Sequence, residues 1–169
     1  MNIFFLHTNP RRCARWHCDK HVVKMLLETC QLLYTCHWIV CQNPDMTKAP
    51  LTKSGQHGYR KSHWNHPCAK WVRMSLTNYV WLTTLGLELL REYNYRYPNR
   101  EHACGQHIEW LHMHPPAGLQ DIGWTEPIPA MPVQYRSGDA IASYRRYYIA
   151  EKRGFAKYTG RHRPHWLDV

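Results

Sequence analysis

At 169 residues the chain has the length of one ordinary domain, long enough to bury a core without disulfide or metal staples, so a single unit over residues 1–169 is expected. Its 22 Lys and Arg against 12 Asp and Glu give a formal charge of +10, with 13 histidines besides, which favours a polyanionic partner and nucleic acid first. No run approaches the roughly 20 apolar residues of a spanning helix, so a membrane partner is set aside, and an odd count of seven cysteines behind an N-terminus too short in apolar residues for a signal peptide implies free thiols in a reducing, intracellular compartment.

In chain order, the apolar opening "NIFFL" leads to Asn9-Pro10, a helix start with proline tolerated in the first turn, and the pattern predicts a long helix from Pro10 to Val40. Residues 42–62 hold Pro44, Pro50, Gly55 and Gly58 among polar neighbours and read as a loop. A second helix is expected over Pro67 to Tyr97, with Trp71, Met74, Leu76, Val80, Trp81, Leu85 and Leu89 as its apolar positions, ended by Pro98. From Asn99 to Arg136 no period is sustained, and irregular structure packed over the helices is expected. Ser137-Gly138-Asp139 supplies capping chemistry for a third helix reaching Lys152. The fold class is therefore all-α: one compact domain of three main helices with long irregular connections.

Within "HCDKHVVKMLLETCQ", the residues His17, His21, Lys24, Glu28 and Gln31 share an arc of roughly 80° on an ideal helix, while apolar residues fill most of the remaining circumference. The plain explanation is the wet side of a core helix with Lys24 and Glu28 as an i,i+4 pair, although Lys before Glu is the less favourable order. The functional explanation is a polar seam at the floor of a cleft. There Glu28 serves as general acid or base and His21 orients it or a phosphate. Lys24 is an amine nucleophile if desolvation lowers its pKa, and otherwise a phosphate contact.

Cys18, His21, His66 and Cys68, or His102, Cys104 and His107, would suit zinc by donor type, but neither set shows the paired CxxC knuckles of a structural site, and no metal or other cofactor is expected. The C-terminal third carries Arg145, Arg146, Lys152, Arg153, Lys157, Arg161 and Arg163 interleaved with Tyr144, Tyr147, Tyr148, Phe155, Tyr158 and Trp166. Basic groups that neutralise phosphates beside aromatic faces that stack on unpaired bases suit distorted or opened nucleic acid.

These residues together resemble the phage endonuclease V family of pyrimidine-dimer DNA glycosylases. "DKH" followed by Glu28 seven residues after His21 is similar to that family's Asp-x-His and catalytic Glu. "NHPCAKW", with Asn65 and His66, resembles the start of its second helix, "REYNYRY" its exit, "MPVQYR" the segment before its third helix, and "RPHW" its Arg-Pro-x-Trp tail. The resemblance implies an all-α glycosylase with AP-lyase activity on damaged double-stranded DNA, acting as a monomer inside an infected cell. In it the N-terminal α-amine attacks the sugar C1′, Glu28 handles charge and protons, and His21 positions the substrate. Nucleic-acid contacts would come from His17, Gln31, Asn65, His66, Arg145, Lys152, Arg161, Arg163 and Trp166.

Four positions differ from the family pattern. Residue 2 is Asn where the family exposes a Thr by removal of the initiator Met, so the amine belongs to Met1 or, after trimming, to Asn2. Leu27 and Gln31 stand where the family has arginines, and Lys24 is an additional amine one turn before Glu28. The alternatives are a non-catalytic DNA- or RNA-binding module on the same fold, or a zinc-stabilised viral structural or regulatory protein.

Overall fold

The structure, a computed structural model, describes residues 1–168. It is all-α among them, built from α1 (Pro10–Trp16), α2 (Asp19–Val40), α3 (Pro67–Val72), α4 (Leu76–Arg96), α5 (Gly105–Met113) and α6 (Ala140–Lys152). Each of the first two long helices expected from the sequence is divided in two, and each division has a tertiary cause.

Between α1 and α2, His17 and Cys18 are extended, and partners far along the chain take the backbone groups that a continuous helix would pair internally. Arg96 donates to the carbonyls of Arg15 (3.1 Å) and His17 (2.8 Å), Tyr148 Oη accepts from Cys18 N (2.8 Å), and Lys157 O accepts from Asp19 N (2.8 Å). Between α3 and α4, Asp121 acts as an external cap. Its carboxylate accepts from Thr77 Oγ1 at 2.7 Å, from Ser75 Oγ at 2.8 Å and from the Thr77 N–H at 3.2 Å, and those donors hold its pKa down at about 2.

α5 lies in the stretch expected to be irregular. Only nine residues long, it buries His107, Ile108 and Leu111 against α2 and α4. Gly86 makes that approach possible, since a Cβ there would come within 2.8 Å of Ile108 Cδ1.

The core forms where α2 crosses α4, and through it runs the N-terminal segment Ile3–Leu6, extended and unpaired with any strand. Four consecutive apolar side chains buried from both sides contribute about 1.5–3 kcal/mol each, which keeps the segment in place without a ladder. Its backbone is tied by local and long-range bonds: Cys13 Sγ and Leu6 N donate to Phe4 O, and Arg145 Nε donates to Leu6 O at 2.9 Å. The consequence is positional. Residues 1 and 2 emerge from the core beside the middle of α2.

A buried charge network joins the helix ends: Arg96 is bonded to Glu92 and Asp19, and Glu92 also accepts from Arg161 at 2.8 Å. No helix among the described residues is long and apolar enough to cross a membrane.

Candidate active site

Glu28 sits on α2 with its side chain largely buried and a nitrogen on each carboxylate oxygen. The backbone nitrogen of Asn2 donates to Oε2 at 2.7 Å, and Lys24 Nζ lies 3.3 Å from Oε1. Lys24 is mostly exposed, so its half of the arrangement faces solvent while Asn2 approaches from the core.

The direction of the Asn2 nitrogen is set by its own side chain. Nδ2 donates to Ala130 O at 3.0 Å, and Oδ1 accepts from Ile3 N (2.9 Å), Tyr144 Oη (3.1 Å) and Cys68 Sγ (3.4 Å). An amide supplies donor and acceptor at once, which a hydroxyl of threonine length does not span. Tyr144 comes from α6 and Cys68 from α3, so three helices and the N-terminal segment meet at this residue.

His66 completes the floor. It is the N-cap of α3, its Nδ1 accepting from Cys68 N at 3.2 Å, so its proton resides on Nε2. Burial lowers its pKa, with the terminal ammonium and His63 acting in the same direction and Glu28 opposing them. His66 thus senses both the amino terminus and Glu28.

His21, two turns before Glu28 on α2, faces α6. Its ring stacks on Phe4 (centroids 4.5 Å apart, 14° between planes) and meets Tyr148 and Phe155 edge-on. Burial, reinforced by His17, Lys152 and Lys24, pushes its pKa down to about 3. At neutral pH it is therefore an uncharged imidazole, able to orient or accept but not to act as a standing cation. Lys152, lying over the Tyr147 ring at 4.9 Å, and Lys20, over Phe155 at the same distance, supply the positive charge on that side.

On the other side of Lys24 a groove of about 640 Å³ opens between α2 and the 51–62 loop, lined by Val23, Leu27, Lys53, Tyr59, Tyr93 and His102. Gln31 faces a smaller polar hollow of about 260 Å³ with Thr52, Gln56, Arg60 and Ser62.

The remaining expected contacts divide by burial. Asn65, Lys152 and Arg163 are accessible, Arg163 pairing with Asp168 at 3.1 Å near the C-terminus. His17, placed on the polar line by helical spacing, is not in α2: it is fully buried, its Nδ1 donates to Cys13 O at 2.7 Å, and it offers no face to a ligand. Trp166 is buried against Trp16 and Tyr148, and Arg145 is held over both indoles. Arg161 is committed to Glu92 and stacks on Tyr95 at 3.8 Å. Trp166 is thus a packing group in this fold, whereas Arg145 and Arg161 carry these contacts with part of their side chains still accessible.

The sulfur and imidazole donors do not converge. All seven cysteines are free thiols, and among the described residues no group of three or more His, Cys, Asp or Glu is placed to hold a metal ion. His102, Cys104 and His107 are engaged instead with Val23 O, Tyr59 Oη and Tyr34 Oη respectively.

One signal escaped the sequence reading although it lies in the sequence. Between Asp45 and Glu88 the chain has Lys48, Lys53, Arg60, Lys61, Lys70 and Arg73 and no acid, so the loop bordering the cleft is as one-sided in charge as the C-terminal third. No family model, curated protein or solved structure matches the chain.

Proposed function

We propose that the protein is a DNA glycosylase with AP-lyase activity, acting through an amine and Glu28 on damaged double-stranded DNA, as its resemblance to the endonuclease V family implies. The observation that carries the reading is the pair of nitrogens on one buried carboxylate: the residue-2 nitrogen at 2.7 Å and Lys24 Nζ at 3.3 Å. A nitrogen nucleophile needs a neighbour that takes its proton and balances the cation formed at the sugar, and Glu28 touches both Lys24 Nζ and the residue-2 nitrogen, the latter a peptide N–H while Met1 is present and an amine only once Met1 is removed.

In this reading the amine attacks C1′ of the damaged nucleotide and the glycosidic bond breaks, its electron pair leaving with the base. Loss of the amine proton and opening of the sugar ring give a protonated Schiff base. Removal of a 2′ proton, with Glu28 as base, then expels the 3′ phosphate by β-elimination, and water releases the amine. Neutral His21 positions the sugar-phosphate from the α6 side, and the groove beside Lys24 receives the displaced nucleotide.

The test is borohydride trapping on ultraviolet-irradiated duplex, with the adduct mapped by mass spectrometry. An adduct on the N-terminal peptide that survives Lys24→Ala identifies the α-amine, and an adduct on the peptide holding Lys24 transfers the role. Folded protein giving neither adduct nor strand cleavage rejects the enzymatic reading and leaves a binding module on this fold.

A further inference from the structure

Trp64 stands apart from the other tryptophans. Of the eight in the chain, Trp16, Trp71, Trp81, Trp110, Trp124 and Trp166 have ring partners, and Trp38 donates its indole N–H to Tyr59 O at 3.0 Å. Among the described residues Trp64 has neither, and it is the most exposed of the eight at 48%.

Its backbone, by contrast, is fastened. Arg73 Nη1 donates to Trp64 O at 2.7 Å and to Ala69 O at 3.0 Å, and His66 N closes a turn onto His63 O at 2.8 Å. That turn holds His63 at a φ of +47°, a left-handed conformation that costs a non-glycine residue about 1 kcal/mol or more. Just before it, Ser62 exchanges bonds with Thr35 of α2 at 3.0 and 3.1 Å.

The segment is therefore anchored on both sides, to α2 and, through Arg73, to α3. Only Asn65 separates Trp64 from His66, so the two Cα atoms lie no more than about 7 Å apart, and His66 in turn is bonded to Cys68, whose Sγ donates to Asn2 Oδ1. The surrounding chain is cationic, with Arg60, Lys61, Lys70 and Arg73 and no acid nearby in sequence.

An indole left half in water on a strained, clamped turn, among cations and next to the helix that holds Asn2, has the properties of a stacking surface for an unpaired base. We propose that Trp64 is a wedge that stacks against the bases bordering the lesion and holds open the step from which the nucleotide is withdrawn toward Glu28. Basic neighbours hold the flanking phosphates while the ring replaces the stacking lost by the displaced base. The inference rests on the nucleic-acid reading of the same cleft and adds a residue and a mode of contact to it.

The experiment compares binding of two duplexes by fluorescence anisotropy, one undamaged and one carrying a tetrahydrofuran abasic analogue that blocks turnover. Trp64→Ala and Trp64→Leu should weaken binding to the abasic duplex by roughly 5- to 100-fold, the range spanned by base–aromatic stacking, while affinity for the undamaged duplex stays within about twofold. Trp64→Phe should keep most of the preference, and thermal melting of all three should match the parent because the ring is exposed. Equal loss on both duplexes, or no loss on either, overturns the wedge while leaving DNA binding intact. Failure of the parent protein to bind either duplex removes the wedge together with the nucleic-acid reading.

Discussion

Three buried histidines make stability depend on pH in a direction that can be calculated. Burial lowers the pKa of His17 to about 4, of His21 to about 3 and of His37 to about 4, from an ordinary value of 6.5. Below 6.5 the unfolded chain takes up protons that the folded protein refuses, so this contribution is present in full above 6.5 and is lost as pH falls toward the folded values. Between about pH 7 and pH 5 each histidine removes about 2 kcal/mol, and the three together five to six, a large part of an ordinary domain's stability.

Guanidinium unfolding followed by tryptophan fluorescence at constant ionic strength measures the loss. His17→Gln isolates one share, since its amide can still donate to Cys13 O, in place of the 2.7 Å bond of the native ring, but cannot titrate. The variant should be less stable near neutrality, yet its drop from pH 7 to pH 5 should be smaller by about 2 kcal/mol. A drop of unchanged size would show that His17 is not held neutral by burial.

Other substitutions test other parts of the structure. Glu28→Gln keeps an acceptor for the Asn2 nitrogen but removes the charge, so cleavage and trapping should be lost while DNA affinity is retained; full turnover in gel assays would take Glu28 out of the mechanism. Arg96→Met strands the His17 and Arg15 carbonyls and deprives Glu92 and Asp19 of a buried cation, at a cost of about 3–5 kcal/mol by chemical denaturation. A cost below about 1 kcal/mol would deny the network that role. Gly58→Ala combines a φ of +68° with a Cβ 2.6 Å from the Tyr34 ring, whereas Gly55→Ala at +75° meets open space, so the first should lower the melting temperature more than the second.

What the sequence revealed was whatever short-range spacing encodes. The periodicity of α2 brought Lys24 and Glu28 onto one face, and Ser137-Gly138-Asp139 marked the start of α6, where Asp139 does accept from Ala142 N at 2.9 Å. The helix breaks were illegible because their partners lie far away: Arg96 is 79 residues from His17, and Asp121 is 44 from Thr77. α5 escaped because nine residues give a helical period too few turns to stand out among histidines, prolines and tryptophans. The misplacement of His17 has the same origin, since ideal helical geometry continued the polar line through a residue at which the helix has already ended.

The N-terminus shows why position 2 matters more than its chemistry alone suggests. With Met1 in place, the nitrogen 2.7 Å from Glu28 is a peptide N–H, which donates but cannot attack, and the only α-amine belongs to Met1. Removing Met1 would turn that same nitrogen into an amine without moving it, because the four bonds of the Asn2 side chain, not Met1, determine where it points. Asparagine is larger than the residues after which an initiator methionine is ordinarily removed, so the feature that aims the nitrogen is also the one that resists its exposure. Intact mass of the purified protein distinguishes the two forms. If Met1 is retained, a terminal adduct must form on an amine one residue farther out, and Glu28 then steadies the peptide behind it and receives its proton only through the flexible first residue or a water; if Met1 is absent, nucleophile and base are already in contact.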